Sequence, residues 1–255
     1  MPTARATTST APSTTPVPAA KISGYPRWRT HAAEDAALTL IQLNIGLPGP
    51  LVSPDREVMS GIRKGPVAGA VRIGPEGCAG DGQADLVNHA GPDKAVCVYA
   101  TEHLPYWSER LGTPFAPGAF GENFSVRGLV ETEIRIGDVL QVGAARFQVT
   151  QPRGPCFKLG MLHGEPHLAL WVQETGKTGF YLRCLVPGAV AAGDPIDLLE
   201  RDPGYPTVEE VVRVTYRDTD DDEAIDRVIA CPPLAEAWRG ALLRRREKRR
   251  GIPAV

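Results

Sequence analysis

Residues 133–150 read EIRIGDVLQVGAARFQVT, and this stretch indicates the class of fold. Apolar and polar residues alternate in it, so that Ile134 and Ile136, and later Phe147 and Val149, point to the same side of an extended chain. A period of two is typical of half-buried β-strands, and the glycine between the two runs suits a turn. The stretch therefore predicts a β-hairpin with one face on a hydrophobic core.

The same pattern continues on both sides of this hairpin. Residues 179–200, GFYLRCLVPGAVAAGDPIDLLE, predict two more strands, and the Gly-Asp pair at 193–194 repeats the pair at 137–138. Residues 38–45 and 94–100 are also strand-like, whereas the Gly- and Pro-rich segment after the first of them predicts a long loop. Many short strands at such intervals favour a mainly β, barrel-like sheet that closes or folds over on itself.

The overall composition argues against several classes of protein. Of 255 residues, 28 are Lys or Arg and 30 are Asp or Glu, so the formal net charge of −2 does not suit a surface built to neutralise nucleic-acid phosphates. No apolar run approaches the ~20 residues needed to cross a bilayer. We therefore expect neither nucleic acid nor a membrane as a partner.

Three segments of the chain differ in character. Residues 1–36 start with a Thr- and Pro-rich stretch and contain no acidic residue before Glu34, which is typical of a disordered tail. Residues 37–202 hold the predicted strands and form the expected barrel-like β domain. Three amphipathic patterns then predict a three-helix C-terminal domain over residues 206–250. So short a unit buries little surface alone, so we expect it to pack on the β domain or on a second subunit, as in a homodimer.

The ends of this helical segment carry recognisable signals. Thr207 and Glu210 form a capping box at the start of the first helix. The last helix ends in the basic run RRREKRR at residues 244–250. We interpret this run as a solvated helix end that complements the helix dipole, with nucleic-acid binding as the alternative.

The five cysteines indicate a reducing compartment. They include no C-x-x-C pair, and no secretory signal peptide is recognisable before them, so we expect free thiols and a cytoplasmic location. Cys97 and Cys184 lie within apolar strand runs and are expected to belong to the core.

Cys156 has the most suggestive surroundings. It lies in QPRGPCFKL (151–159), which follows a predicted strand and precedes sequence compatible with a helix. A helix dipole, free N–H groups and the neighbouring Arg153 and Lys158 would all favour the thiolate over the thiol. Such a sulfur can bind a soft metal or carry sulfur, whereas the alternative is a small buried hydrophobe beside two solvated cations.

Two familiar site patterns are disfavoured. The spacing of Cys156, His163 and His167 suggests zinc, but Pro166 interrupts any regular helix that would align the two imidazoles, and a fourth ligand is missing. Glycines at 77, 80 and 82 have neither the spacing nor the strand-to-helix context of a dinucleotide-binding loop.

Two loops could hold polar groups of a ligand. Residues 80–94, GDGQADLVNHAGPDK, gather carboxylates, an amide, an imidazole and a lysine, and His89 in them could act as a donor or acid or be a turn histidine bonded to backbone. Residues 118–124, GAFGENF, place a carboxylate and an amide between glycines. That arrangement suits a close backbone approach to a ligand or an internally hydrogen-bonded turn.

Five motifs occur in order along the chain: GDGQADLVNHAGPDKAV (80–96), PGAFGENF (117–124), IGDVLQVG (136–143), QPRGPCFKL (151–159) and TGFYLRCLVPGAVAAGD (178–194). Together they resemble MOSC-domain proteins of the bacterial YiiM-like branch. The resemblance spans about residues 37 to 200, and the C-terminal helices are similar to the three-α-helix domain of that branch. Ala90, where the family usually has Gly, and Phe124, commonly Leu, depart from the pattern.

The resemblance implies a link to the molybdenum cofactor (molybdopterin), with Cys156 as the ligand of the metal. A protein thiolate suits thiophilic molybdenum, and cations suit the phosphate of the pterin. The residues then expected to bind the cofactor are Arg153, Lys158, Gln83, Lys94 and Asn123. The expected catalytic residues are Cys156, His89 and Asp81. Pyridoxal phosphate binding is also associated with the family.

Related MOSC proteins are associated with the reduction of N-hydroxylated compounds such as hydroxylaminopurines and amidoximes. The resemblance therefore implies a molybdenum-dependent N-hydroxyl reductase acting on a small molecule. Because the sequence has no flavin or nicotinamide motif, an external flavin-type reductase would have to supply the electrons. The alternatives are a sulfur-carrier or cofactor-delivery module with a Cys156 persulfide, and a non-catalytic binding domain.

Overall fold

The computed structural model describes residues 37–249 and 251, which are built mainly of β-strands. The predicted tail at 1–36 lies outside the described residues, as does Arg250. The strands are β1 (Thr39–Ile45), β2 (Gly49–Ser53), β3 (Arg56–Ser60), β4 (Gly65–Pro66), β5 (Val71–Gly74), β6 (Gly77–Cys78), β7 (Val96–Ala100), β8 (Phe124–Arg127), β9 (Val139–Val142), β10 (Ala145–Pro152), β11 (Phe180–Val186), β12 (Gly188–Val190) and β13 (Ile196–Glu200). The α-helices are α1 (Leu104–Leu111), α2 (Phe157–His163), α3 (Leu168–Thr175), α4 (Val208–Tyr216), α5 (Asp222–Ile229) and α6 (Glu236–Arg249).

One eight-stranded sheet forms the framework, in the order β13-β9-β10-β11-β7-β8-β1-β4. Its neighbours are antiparallel except for the parallel pair β7 and β8. The sheet curls until β1 approaches β13, where Leu40 N–H donates to Asp194 O at 3.0 Å and Gly193 N–H donates to Leu40 O at 2.7 Å. An isolated bridge between Thr39 and Pro195 lies beside these bonds, but β1 and β13 do not pair as neighbouring strands of the sheet, so the sheet is barrel-like without being a fully closed barrel. The predicted mainly β class is confirmed.

The Gly-Asp turn is built twice in the same way. Gly137 has a φ of 91°, and the Asp138 carboxylate accepts a hydrogen bond from the N–H of Arg135, three residues earlier. Gly193 has a φ of 92°, and Asp194 accepts the corresponding bond from the residue three before it. Glycine is favoured at both places because other L residues rarely adopt this conformation. The turn also explains why the first strand of the predicted hairpin, β9, begins after Asp138 and not near residue 134.

Two sequence expectations about strands were wrong. The segment from 46 to 82, predicted as a long loop, contains the β2–β3 hairpin and the short strands β4, β5 and β6. Residues 179–200 form three strands instead of two, because Pro187 separates β11 from β12. Strands of two to five residues are too short for a period of two to reveal them.

The helices α4 to α6 share the main hydrophobic core with the sheet. Phe147 and Val149 of β10 and Val211, Val228 and Leu234 of the helical segment belong to one cluster of buried side chains. The helical unit therefore packs on the β-sheet, as expected for a segment too small to bury a core of its own. Its boundaries as a separate domain, 206–250, stay a prediction.

The predicted capping box and basic run both have structural partners. Glu210 N–H donates to Thr207 Oγ1 at 3.1 Å and the Glu210 carboxylate accepts from Thr207 N–H, so the box is formed. In the basic run, Arg245 donates to the carbonyl oxygens of Val214 and Thr215 near the end of α4. Arginines of the run thus satisfy carbonyls that the helix end leaves free. Within residues 37–249, no helix has the length and apolar character required to cross a membrane.

Candidate active site

A short loop joins the end of β10 to the start of α2. Strand β10 ends at Pro152 and the helix begins at Phe157, so Cys156 occupies the N-cap position with an extended backbone (φ −124°, ψ 165°). The predicted helix start at Cys156 is confirmed. Its side chain is partly exposed and faces a cleft, which we call the Cys156 cleft.

The Cys156 cleft has two connected parts. An inner recess has a volume of about 50 Å³, and an outer part has a volume of about 330 Å³. Both are lined by Cys156, Lys158, His89, Lys94 and Tyr181. Arg153, Gln83 and Asn123 line only the inner recess. The structure thus brings together every predicted site residue except Asp81.

Two cations in the cleft are buried without an anionic partner. Arg153 is 7% exposed and Lys158 is 9% exposed, yet neither forms a salt bridge with any described residue. Nη1 of Arg153 is buried and makes no hydrogen bond to the described part of the chain. The nearby Asp85 carboxylate accepts instead from the N–H and side-chain amide of Asn88. Because burying an unpaired charge is unfavourable, an anion bound in the cleft would be stabilised by both side chains.

His89 is held neutral near pH 7. Burial lowers its pKa, the neighbouring Lys158 lowers it further, and Asp85 only partly opposes the shift. Its ring makes no side-chain hydrogen bond to a residue within 37–249, so one ring nitrogen can donate to a ligand and the other can accept. Burial also lowers the pKa of Lys94, whose Nζ donates to Asn88 O at 2.8 Å.

Asp81 lies behind the wall of the cleft. Its carboxylate accepts from Gly46 N–H at 2.8 Å and pairs with the buried ammonium of Lys64. It also accepts from the side-chain amides of Asn123 at 2.9 Å and Gln83 at 3.3 Å. These contacts make Asp81 a residue that positions two lining side chains, and a direct catalytic role for it stays a prediction.

The GAFGENF segment supports the recess from inside the protein. Asn123 Oδ1 accepts from Cys97 N–H at 3.1 Å, which fixes the amide between β7 and β8. Glu122 is fully buried and accepts from Gly118 N–H at 2.6 Å and the Ser125 hydroxyl at 2.6 Å. The segment is therefore an internally hydrogen-bonded turn at Glu122, while Asn123 lines the cleft.

Two family models match this chain, the MOSC domain over residues 85–197 and the YiiM-like, 3-alpha helix domain over residues 206–249. The uncharacterized protein YflK of Bacillus subtilis is 43% identical over 210 residues, which cover 82% of this chain and 95% of YflK. This chain belongs to the YiiM-like MOSC-domain family. The protein YiiM of Escherichia coli is 35% identical over 190 residues, 73% of this chain and 84% of YiiM.

Solved structures agree with this assignment to the MOSC family. YiiM from Geobacillus stearothermophilus superposes with a TM-score of 0.70 at 36% identity, covering 82% of this chain and 98% of that one. The structure of YiiM from Escherichia coli gives a TM-score of 0.69 at 29% identity, covering 84% and 94%. A protein named "Reductase" from Gibberella moniliformis is 34% identical over 168 residues, 62% of this MOSC protein but 29% of the fungal one.

Sequence reasoning missed several residues that line the cleft, among them Tyr181, Gln151, Cys97 and Trp238. Tyr181 and Gln151 come from β11 and β10, and Gln151 Oε1 is buried without a hydrogen-bond partner among the described residues. Cys97 is buried as predicted, and burial raises the pKa of its thiol, but it also lines the recess. Trp238 comes from α6, where it is partly buried against the main hydrophobic core. Of these four, only Gln151 had a sequence signal, because it is the first residue of the Cys156 motif QPRGPCFKL.

The remaining cysteine and histidine expectations have mixed outcomes in this MOSC protein. Cys184, expected in the core, is only partly buried. Nε2 of His163 contacts Ala119 O at 2.7 Å, and His167 pairs with Glu165 at the surface, so neither imidazole lines the cleft with Cys156. Across the part of the chain that the structure describes, no three His, Cys, Asp or Glu side chains converge as a metal site.

We expect sulfate binding to the Cys156 cleft to strengthen as the pH falls from about 7 to about 5. His89 then gains a positive charge beside Arg153 and Lys158. Because the pKa of His89 is lowered, this gain lies below the ordinary histidine value of 6.5. Titration calorimetry at several pH values measures it, with His89→Gln as the comparison.

In contrast to sulfate affinity, the free energy of unfolding of the ligand-free MOSC protein should decrease as the pH falls. A lowered folded-state pKa means that the unfolded chain binds the proton first, so the stabilising contribution of neutral His89 is lost as the pH falls below 6.5.

The His89→Gln variant tests the role of His89 in sulfate binding. A pH dependence of sulfate binding that is unchanged in this variant would contradict that role.

Proposed function

We propose that this MOSC protein binds the molybdenum cofactor in the Cys156 cleft and reduces N-hydroxylated compounds with electrons from a partner reductase. The observation that carries the proposal is the pair of buried, unpaired cations, Arg153 and Lys158, in one cleft with the partly exposed thiol of Cys156. MOSC domains are generally associated with molybdenum cofactor binding, and the side chains present fit that group.

Each part of the cleft has a task in this proposal. Arg153 and Lys158 would hold the phosphate of the cofactor by charge-assisted hydrogen bonds. Cys156 would ligate the metal, since thiolates suit soft metals. The unpaired Oε1 of Gln151 can accept a hydrogen bond from an N–H group of a ring. When bound, the cofactor would supply the two electrons that reduce an N–O bond.

One of the two protons that the reaction consumes would come from the chain's own residues and the other from solvent. Reduction of an N-hydroxyl group to an amine consumes two electrons and two protons and releases water. Lys94 can give a proton from Nζ more readily than an ordinary lysine because burial lowers its pKa. Neutral His89 can donate a hydrogen bond to the N-hydroxyl oxygen and orient it toward Cys156.

The electrons would come from a second protein. The sequence contains no flavin or nicotinamide motif that could supply them. The fungal relative named "Reductase" supports reduction as the class of reaction, and the match covers only 29% of that protein. A separate reductase domain or partner protein that delivers electrons to the cleft is consistent with the missing flavin or nicotinamide motif and with the partial match to the fungal relative.

The metal content of purified protein tests the proposal. From a host that makes the cofactor, we expect molybdenum in the wild type and reduction of 6-hydroxylaminopurine by reduced viologen. Cys156→Ala should lose the metal and slow the reaction at least roughly 100-fold, because one metal–ligand bond is removed. Cys184→Ala is the matched control, since Cys184 is also partly exposed but lies outside the cleft.

Two outcomes would contradict the proposal. The first is wild-type protein without molybdenum and without reduction when a competent electron donor is present. The second is a Cys156 that carries the added mass of one sulfur atom in intact-protein mass spectrometry and no metal, which is the result that the sulfur-carrier alternative predicts.

A further inference from the structure

One side of the outer cleft is formed by the C-terminal helices. Trp238 lies in the first turn of α6 and lines the outer part of the Cys156 cleft together with Phe157. The start of this helix is tied to the sheet, because Ala235 N–H donates to Thr150 O on β10 at 3.0 Å. The indole is therefore fixed next to the strand that leads into the Cys156 loop.

A second aromatic residue holds the indole in place. Tyr216, the last residue of α4, meets the Trp238 ring edge to face, with 6.3 Å between ring centroids and an interplanar angle of 90°. The Tyr216 hydroxyl also lies close to the Cys156 loop, since a Cβ added at Gly154 would be 3.7 Å from it. An edge-to-face contact is a favourable aromatic pairing, and it restricts the movement of the indole.

Phe157 is another aromatic residue that lines the outer part of the cleft. Phe157 is 48% exposed beside the cleft, with the guanidinium of Arg56 4.8 Å from its ring centroid. The outer part is therefore lined by three aromatic side chains from distant parts of the chain, Phe157, Tyr181 and Trp238, around a cavity of about 330 Å³. This volume lies at the small end of the range for ligand sites, and its lining combines aromatic rings with polar and charged side chains.

We propose that Trp238, supported by Tyr216, is the stacking platform for a planar nitrogen heterocycle in the outer cleft. Flat heterocycles stack on indole faces whatever their substituents, whereas an aliphatic N-hydroxylated compound has no face to stack. This inference rests on the proposed function in one respect, because the heterocycle would belong either to the substrate base or to the pterin of the cofactor.

Direct binding to cofactor-free protein tests the platform. The probes are 6-hydroxylaminopurine, pterin and the aliphatic acetamidoxime, titrated by calorimetry into wild type and Trp238→Leu. We expect at least one heterocycle to bind roughly tenfold more weakly to Trp238→Leu and acetamidoxime to bind equally to both. Trp171→Leu is the matched control, since Trp171 is also a partly buried helical tryptophan but does not line the cleft.

Tryptophan fluorescence provides a second test that can still be used if Trp238→Leu does not fold. A bound heterocycle stacked on the indole should quench part of the wild-type emission, and the milder Trp238→Phe should lose that quenching while binding within about threefold of wild type. Unaltered heterocycle affinity in Trp238→Leu, or full quenching in Trp238→Phe, would overturn the inference. So would wild-type protein that binds neither heterocycle.

The two sources of the heterocycle give different patterns. If the substrate base occupies the platform, Trp238→Leu binds 6-hydroxylaminopurine weakly and keeps its molybdenum. If the pterin occupies it, the same variant binds pterin weakly and loses molybdenum. Failure of the proposed function looks different again, since the wild type would then bind a heterocycle but contain no molybdenum and reduce no N-hydroxylated substrate.

Discussion

Arg153→Met should bind sulfate roughly 10- to 100-fold more weakly than the wild type and yet unfold no more easily. The loss of affinity follows because a buried guanidinium makes charge-assisted hydrogen bonds to an anion, and each such bond has a large effect. The stability should hold or rise by about 1 kcal/mol, because the substitution removes a buried cation that forms no salt bridge with a described residue. A methionine of similar length fills the space.

Arg201→Met is the matched control for this prediction. Arg201 pairs with Asp138, whose side chain is fully buried and also accepts from Arg135 N–H. The same substitution here leaves a carboxylate buried without its cation, so we expect a loss of about 3–5 kcal/mol in the free energy of unfolding. Urea unfolding with and without sulfate measures both variants.

The contrast between these two arginines distinguishes a ligand-binding residue from a structural one. A loss of stability in Arg153→Met as large as that in Arg201→Met would show that Arg153 holds the fold together. Sulfate should also stabilise the wild type against urea but not Arg153→Met, since a ligand that binds only the folded state raises its stability.

The sequence could predict the part of the site that is local in the chain. Cys156 lies at a helix start between Arg153 and Lys158, and the structure keeps all three in one cleft because only a short loop and one helical turn separate them. Tyr181 and Trp238 could not be found in this way. Each lies in an apolar pattern that reads as core, and only the pairing of β11 with β10 and the packing of α6 on the sheet bring them to the cleft.

The fold shows the same limit. Long alternating runs predict the hairpin and the barrel-like class, because their hydrophobic faces must be buried in any fold that the chain adopts. The Gly-Asp turns shortened the strands, and backbone dihedrals at single glycines are not visible in a hydrophobic period. The polar loop at 80–94 was recognised as a cluster, but the sequence did not reveal that Asp81 faces away from the cleft and contacts Lys64.

Asp81→Ala is expected to lose about 3–5 kcal/mol in the free energy of unfolding. The Lys64 side chain, which is 2% exposed, would remain buried without its carboxylate, and Gly46 N–H and the Asn123 amide would lose an acceptor. Adding Lys64→Met should recover much of the loss, because the double variant leaves no unpaired charge. Asp93→Ala serves as control, since its pair with Arg183 is partly exposed and should contribute less than about 1 kcal/mol.

The double variant also separates positioning from catalysis at Asp81. If Asp81 only orients Gln83 and Asn123, restored folding should leave reduction of 6-hydroxylaminopurine measurable, with KM raised more than kcat is lowered, because the lining amides become less well placed. If the Asp81 carboxylate instead moves a proton, kcat should collapse in the stable double variant and in Asp81→Asn alike. A small loss of stability in Asp81→Ala would contradict the buried pair with Lys64, because no other carboxylate among the described residues pairs with that ammonium.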